Sequence, residues 1–238
     1  RRKVIWHGRP AGPFADFDRF DFDAPEENLA EVVTTLLDAQ GPTASLDSYR
    51  VEGSGRELFA CTHGTRDAAC GRFGVPFYLR LRAAAEESPV RVWRCSHLSG
   101  HLFAPTLLEL PSGRLWAHLD SEIPQLLERS GPVEVMRDHY RGWSGLDSPF
   151  LQALERELFM RRGWEWLDVP KSGMVLELDR TQKPLWARVR IEALEGGTTS
   201  RYDALVEVRH TLDLRPRSDS VATKPYAQYE VTELGNGN

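Results

Sequence analysis

The chain has 238 residues, 41% hydrophobic and 27% charged, with a formal net charge of −5, which suits one large domain or two modest ones with a buried core. The acidic balance, with no basic block and no aromatic-basic stripe, speaks against a nucleic-acid partner, whose phosphates must be neutralised by Lys and Arg. There is no apolar run of about eighteen residues and no apolar segment behind the basic start Arg1-Arg2-Lys3, so neither a membrane span nor a signal peptide is expected.

From the N-terminus, residues 4–6 read as a strand and residues 8–23, with Gly, Pro and Phe-Asp pairs, as a loop. Pro25 opens a helix whose apolar face is Leu29, Val32, Val33, Leu36 and Leu37, with Glu26 and Glu27 at its start and Gly41-Pro42 at its end. A strand is expected around residues 47–52, a turn at 53–55, and a short strand at 58–60 that delivers the chain to Cys61. Residues 62–74 are polar and Gly-rich and read as a loop; Pro76 then starts a second helix that ends near Ser88-Pro89. Residues 90–93 form a strand leading to Cys95 and His97. Residues 107–110 and 114–119 make a hairpin around Pro111-Ser112-Gly113, and residues 121–129 a short helix. This β-α-β-β-α order predicts an α/β, thioredoxin-like domain with Cys61 and His97 at neighbouring strand ends, where open α/β sheets place their ligands.

The last third has a different pattern. Ser148-Pro149 caps a helix with Phe150, Leu151, Leu154 and Leu158 on one side. Strands are expected at residues 174–178, 185–193, 204–214 and 226–231. Leu185, Ala187, Val189 and Ile191, then Ala204, Val206, Val208, His210 and Leu212, recur with the period of two of a half-buried antiparallel sheet. The expected organisation is an α/β domain with an N-terminal extension over residues 1–145, a C-terminal helix plus antiparallel sheet over 146–234, and a disordered tail at 235–238. The C-terminal part offers a surface for docking a partner or for forming a homodimer.

Three cysteines, an odd number, argue against a disulfide framework and for a reducing compartment, with the cytoplasm as default. Two of them, Cys61 and Cys70, form C-x8-C, and His97 and His101 form H-x3-H. Two thiolates and two imidazoles can hold iron, zinc or copper. Zinc knuckles bring their sulfurs to one ion through a tighter C-x2-4-C turn. The longer loop suits a larger object, such as a [2Fe–2S] rhomb with the cysteines on one iron and the histidines on the other. That centre would be neutral when oxidised and singly negative when reduced, where four thiolates would give two and three negative charges. It should therefore accept an electron more readily, as Rieske centres do at roughly −150 to +300 mV against about −400 mV for plant-type ferredoxins. Imidazole ligands would couple reduction to proton uptake and let acid release the metal. Cys95 is an alternative ligand, with a packed core thiol the favoured reading. His63 is placed to bond near the centre or to face solvent. Arg66, Arg72 and Arg94 would stabilise a reduced centre, and Gly64, Gly71 and Gly100 would let backbone approach it. Trp93 and Trp116 would screen it from water or simply pack.

The stretches C-T-H-G-T-R-D-A-A-C-G-R-F-G-V-P (61–76) and V-W-R-C-S-H-L-S-G-H-L-F-A-P-T-L-L-E-L-P-S-G-R-L-W (92–116) resemble the sucrase/ferredoxin-like family. The strong likeness covers roughly residues 58–120. It implies a thioredoxin-like ferredoxin whose [2Fe–2S] cluster is held by Cys61, Cys70, His97 and His101. The chain departs from the family at Leu98-Ser99-Gly100, where a glycine pair is commoner, and at Leu102, where a basic residue is usual. The resemblance implies a soluble electron-transfer or redox-sensing protein, an electron carrier rather than a catalyst acting alone, with redox donor and acceptor proteins as partners. A glycosidase is not implied, since no carboxylate pair stands out. A zinc-binding structural module with the same four ligands is the alternative. A metal-free thiol oxidoreductase is disfavoured by the lack of C-x-x-C.

Overall fold

The computed structural model describes residues 1–53 and 55–236. Among them, twelve strands fall into three sheets. The first is antiparallel, in the order β1 (Arg2–Gly8), β2 (Asp18–Ala24) and β3 (Arg50–Val51). The Phe-Asp pairs expected in a loop form β2 instead, because their alternation is the period of a strand. Phe20, Phe22 and Ala24 join Val32 and Leu36 of α1 (Leu29–Asp38) in a small core. Asp21 is buried as well, but its carboxylate is paired with Lys3 and Arg19, each at 2.6 Å. The buried face of α1 is narrower than the apolar pattern suggested, since Val33 and Leu37 are exposed. Residues 44–49 wind into a 3₁₀ turn, which leaves only β3 of the strand expected at 47–52. The turn expected at 53–55 includes Ser54, which lies outside the described residues.

The central sheet has the order β5-β4-β6-β7-β8. β4 (Glu57–Cys61) runs parallel to β5 (Arg91–Cys95) and antiparallel to β6 (Thr106–Leu110); β7 (Arg114–Ala117) and β8 (Tyr140–Trp143) continue antiparallel. With α2 (Ala68–Ala84) between β4 and β5, and α3 (Ile123–Glu128) after β7, this is the β-α-β then β-β-α topology of a thioredoxin-like fold. β8 carries no alternation and escaped the sequence reading.

α2 corrects another expectation. It starts at Ala68, inside the segment expected as loop, and Pro76 lies within it rather than at its start. Asp67 caps it by accepting from the Ala69 amide at 2.9 Å. Its glycines serve close approach, not looseness. A Cβ on Gly74 would stand 2.0 Å from the Cys61 carbonyl oxygen, and one on Gly71 would stand 2.9 Å from the Gly64 Cα. The helix can therefore lie directly against the end of β4. Pro76 withholds one amide from the helix ladder.

The last third follows the sequence reading closely. α4 (Pro149–Arg162) buries Phe150, Leu151, Leu154 and Leu158. The third sheet is antiparallel in the order β12-β11-β10-β9, built from β9 (Lys171–Leu178), β10 (Trp186–Glu195), β11 (Thr198–Leu214) and β12 (Lys224–Asn236). Ala187, Val189, Ile191, Ala204 and Val206 are buried on one face, as the period of two predicts. Beyond Val206 the alternation no longer marks burial; Leu212 is exposed, and the β11–β12 arm runs past the core. The disordered tail expected at 235–238 is corrected at its start: Gly235 and Asn236 pair with Asp203 and Tyr202, because β11 extends far enough to offer them a ladder. Residues 237–238 lie outside the described residues.

One hydrophobic core joins Leu58, Leu107 and Trp116 of the central sheet, Phe77 of α2, the inner face of α4, and Val189 and Val206 of the third sheet. Phe159 of α4 lies edge-on to Trp116 at 6.2 Å and to Tyr140 at 5.0 Å. Charged groups are buried at the end of the central sheet where β4 begins. Glu57 faces Arg91 at 2.9 Å and Arg19 at 3.2 Å. Glu109 faces Arg56 and Arg129, and Arg114 pairs with Glu155 at 2.8 Å while Tyr140 donates to Glu155 at 2.7 Å. Lys171, fully buried, donates to the Trp166 carbonyl at 2.8 Å and lies over the rings of Trp143 and Trp166. No helix among the described residues is long and apolar enough to cross a membrane.

Candidate metal centre

The opposite end of the central sheet, where β4 and β5 finish, gathers the sulfur and imidazole groups. Parallel pairing sets Cys61 beside Cys95. The chain then turns through residues 62–66 and enters α2, whose first turn carries Cys70. Cys61 and Cys70 are each 1% exposed, and Gly74 permits the helix to bring them together. After β5, Ser99 (φ 69°) and Gly100 (φ 67°) adopt left-handed backbone, which reverses the chain between His97 and His101. The two imidazole rings end 5.3 Å apart.

Three of the four expected ligands converge. The donor atoms of Cys61, Cys70 and His97 all lie within 4.8 Å of one another, and Cys70 Sγ is 3.6 Å from His97 Nδ1. His101 stands beside this group and does not join it. Its Nε2 bonds to the carbonyl oxygen of Pro216, in the turn between β11 and β12, and lies 3.8 Å from Asp67 Oδ2. A carbonyl only accepts, so Nε2 carries the proton. In the neutral form of the ring the lone pair is then on Nδ1, which is buried and has no hydrogen-bond partner among the described residues.

The electrostatics suit a cation. Burial pushes the Cys70 thiol up to about 12, and the neighbouring Cys61 adds to this. Burial, with Cys61 beside it, also pushes Cys95 up to about 12. His97 is held below its usual value, first by burial, then by His101, Arg66 and His63. Neutral imidazole is the metal-binding form, and a buried thiol ionises readily only against a positive charge. Two buried thiols, a neutral imidazole and an orphaned ring nitrogen thus fit a metal or iron–sulfur group. Asp67 behaves differently. Burial works against its charge, but hydrogen bonds from Ser218 and Ala69 hold the carboxyl at about 2.

The flanking residues are mostly structural. Arg94 donates to Thr62 at 3.2 Å and lies over Tyr78, and Arg72 lies over Phe73. Arg66 and His63 are exposed. Gly64 and Gly71 pack against each other. Trp116 is buried and donates to Glu109 at 3.0 Å, and Trp93 turns to Glu57 at the far end of β4, so neither screens the centre. Three polar neighbours were not anticipated: Asp67, Pro216 and Ser218. Only Asp67 left a local sign, as an N-cap before Ala68-Ala69; the others approach from more than a hundred residues away.

Among solved structures, a wild-type thioredoxin-like [2Fe–2S] ferredoxin from Aquifex aeolicus overlaps 35% of this chain and 96% of its own, with 12% identity and a TM-score of 0.29. Another structure of a thioredoxin-like [2Fe–2S] ferredoxin from Aquifex aeolicus overlaps 40% of this chain and 100% of its own, with 11% identity and a TM-score of 0.32. No curated protein matches the chain. The family described as Sucrase/ferredoxin-like matches residues 12–142, more than half of the sequence and the whole of the candidate centre. The chain belongs to the Sucrase/ferredoxin-like family.

Proposed function

We propose that this protein transfers electrons through a [2Fe–2S] cluster held by Cys61, Cys70, His97 and His101. The observation that carries the reading is the meeting of two buried thiols and a neutral imidazole, with a second imidazole beside them whose buried Nδ1 has no hydrogen-bond partner among the described residues. Membership of the Sucrase/ferredoxin-like family is what favours a two-iron group over zinc. One tetrahedral ion, at about 2.3 Å from sulfur and about 2.0–2.1 Å from nitrogen, would draw all four donors within roughly 4 Å of one another. Here Cys61, Cys70 and His97 lie within 4.8 Å of one another and His101 stands apart, a three-plus-one grouping that does not by itself sort the donors into two pairs.

Bound there, such a cluster would accept and return single electrons, at a potential that imidazole ligands keep above that of a four-thiolate site. Cys61 and Cys70 would hold the inner iron and exclude water from it through their burial. His97 and His101 would hold the outer iron. The His101 side chain is 18% exposed and borders an open groove of about 500 Å³ shared with Arg72, Phe73, Arg80 and His118. Redox donor and acceptor proteins would dock over that groove, because it is where a ligand ring reaches solvent. The chain's own part is to position the imidazoles and shield the sulfurs, which needs no substrate pocket. Three free cysteines suit a reducing compartment such as the cytoplasm.

The test is anaerobic purification or reconstitution with ferrous iron and sulfide, followed by iron and acid-labile sulfide assays and visible spectra with and without dithionite. Two irons and two sulfides per chain with a bleachable charge-transfer band are expected. A colourless protein with one zinc would overturn the reading.

A further inference from the structure

The turn between β11 and β12, outside the family match, touches the candidate centre. It closes the arm between Leu214 and Lys224 and is braced within itself, since Arg217 pairs with Asp219 at 2.9 Å and the Ser220 amide donates to the Arg217 carbonyl at 3.1 Å. It reaches the centre at two points. The Pro216 carbonyl accepts from His101 Nε2. The Ser218 amide donates to Asp67 Oδ2 at 2.9 Å, and the Ser218 hydroxyl donates to Asp67 Oδ1. The same hydroxyl accepts from the Ala69 amide at 3.3 Å. Asp67 and Ala69 form the capped start of α2, three residues and one residue before Cys70.

We propose that this turn is a strap that positions the histidine half of the centre. It rests on the reading of Cys61, Cys70, His97 and His101 as cluster ligands. Pro216 fixes His101 through its remote nitrogen, which aims the buried Nδ1 as the donor. A carbonyl on the non-ligating nitrogen is the usual device for orienting a metal-bound imidazole. Proline suits the task because it offers an acceptor and no N–H of its own. Ser218 supplies the anchor. By clasping Asp67 it ties the strap to the helix turn that carries Cys70, so the thiolate and imidazole sides are held in one register. Pro216 and Ser218 are therefore positioning residues, 115 and 151 residues from the groups they hold.

The experiment compares wild type, Ser218→Ala, Ser218→Thr and a chain whose residues 215–223 are replaced by an Asn-Gly turn, each reconstituted with ferrous iron and sulfide. Three quantities are read: the rate of iron release to a chelator, the midpoint potential with the histidine ¹⁴N couplings of the reduced protein, and amide exchange at Ser218 in metal-free wild type. Loss of an outer partner of a ligand should speed release about ten- to a hundredfold in the shortened chain. The same chain should show a shifted potential and a broadened coupling from one histidine. Ser218→Ala should move in the same direction by less, and Ser218→Thr should restore wild-type behaviour. Unchanged release, potential and couplings in both Ser218→Ala and the shortened chain would overturn the strap; if the shortened chain fails to fold, Ser218→Ala alone decides. Slow exchange at Ser218 reports the clasp without metal. Slow exchange in a wild type that takes up no iron and sulfide would sink the cluster reading, and with it the strap's role toward a ligand, while leaving the contact itself standing.

Discussion

The two ends of the central sheet both bury polar groups and leave them in opposite states. Where β4 begins, every buried carboxylate faces a guanidinium: Glu57 with Arg19 and Arg91, Glu109 with Arg56 and Arg129, Glu155 with Arg114. Burial alone would raise the Glu109 pKa, but Arg56 and Arg129 reverse this and hold it below the usual carboxylate value. Where β4 ends, the neighbours that act on Cys70 are a second thiol and Asp67, and both disfavour its charge. The first end is electrically complete within the protein. The second holds thiols that stay neutral unless a cation sits beside them. A buried polar group marks function here when its counter-charge is missing, not merely because it is buried.

Breaking the incomplete end should give the largest effect on the cofactor and the smallest on the fold. Cys70→Ala is expected to abolish iron and sulfide uptake while costing the metal-free chain about 1 kcal/mol, as read by denaturant unfolding. Breaking the complete end should do the reverse. Glu155→Gln leaves Arg114 buried without its counter-charge and is expected to cost about 3–5 kcal/mol, with iron content per folded chain unchanged. If Glu155→Gln instead lost the cluster at full stability, the division between the two ends would fail.

Lys171 sharpens the comparison as an intermediate case, a buried cation whose partners are a carbonyl and two indole rings rather than a carboxylate. Burial, with Arg114 adding to it, brings its pKa down to about 7. In the unfolded chain it would titrate near 10.4, so between those values the unfolded state holds the extra proton and stability rises with pH. That contribution is complete above about pH 10 and fades as pH falls towards 7. The stability difference between wild type and Lys171→Met should therefore shift in favour of wild type by about 2 kcal/mol from pH 7 to pH 9, measured by urea unfolding. A flat difference would mean that Lys171 stays charged inside the fold.

How much of this was legible in the sequence depends on how local each signal was. α4 and the inner part of the third sheet, up to Val206, are legible because the helical stripe and period two are properties of neighbouring residues. α2 was misplaced because glycine looks the same whether it loosens a loop or admits a close contact. The partner of Gly74, the Cys61 carbonyl, is visible only after folding. β2 reads as loop in the sequence because its Phe-Asp alternation follows a Gly- and Pro-rich stretch. Within the centre, C-x8-C, H-x3-H and the family resemblance single out Cys61, Cys70 and His97, whose donors lie within 4.8 Å of one another. The orientation of His101 was not foreseeable, because Pro216 decides it from a segment with no motif of its own.

The edge-on stack of Phe159 against Trp116 and Tyr140 has a practical consequence. A fragment trimmed to residues 12–142 would retain every candidate ligand yet lose α4, leaving two large aromatic faces wet. Such a piece would aggregate or rearrange. Its colour, or lack of it, would say little about the intact molecule. Spectroscopy of this centre belongs on a chain that still carries its C-terminal third.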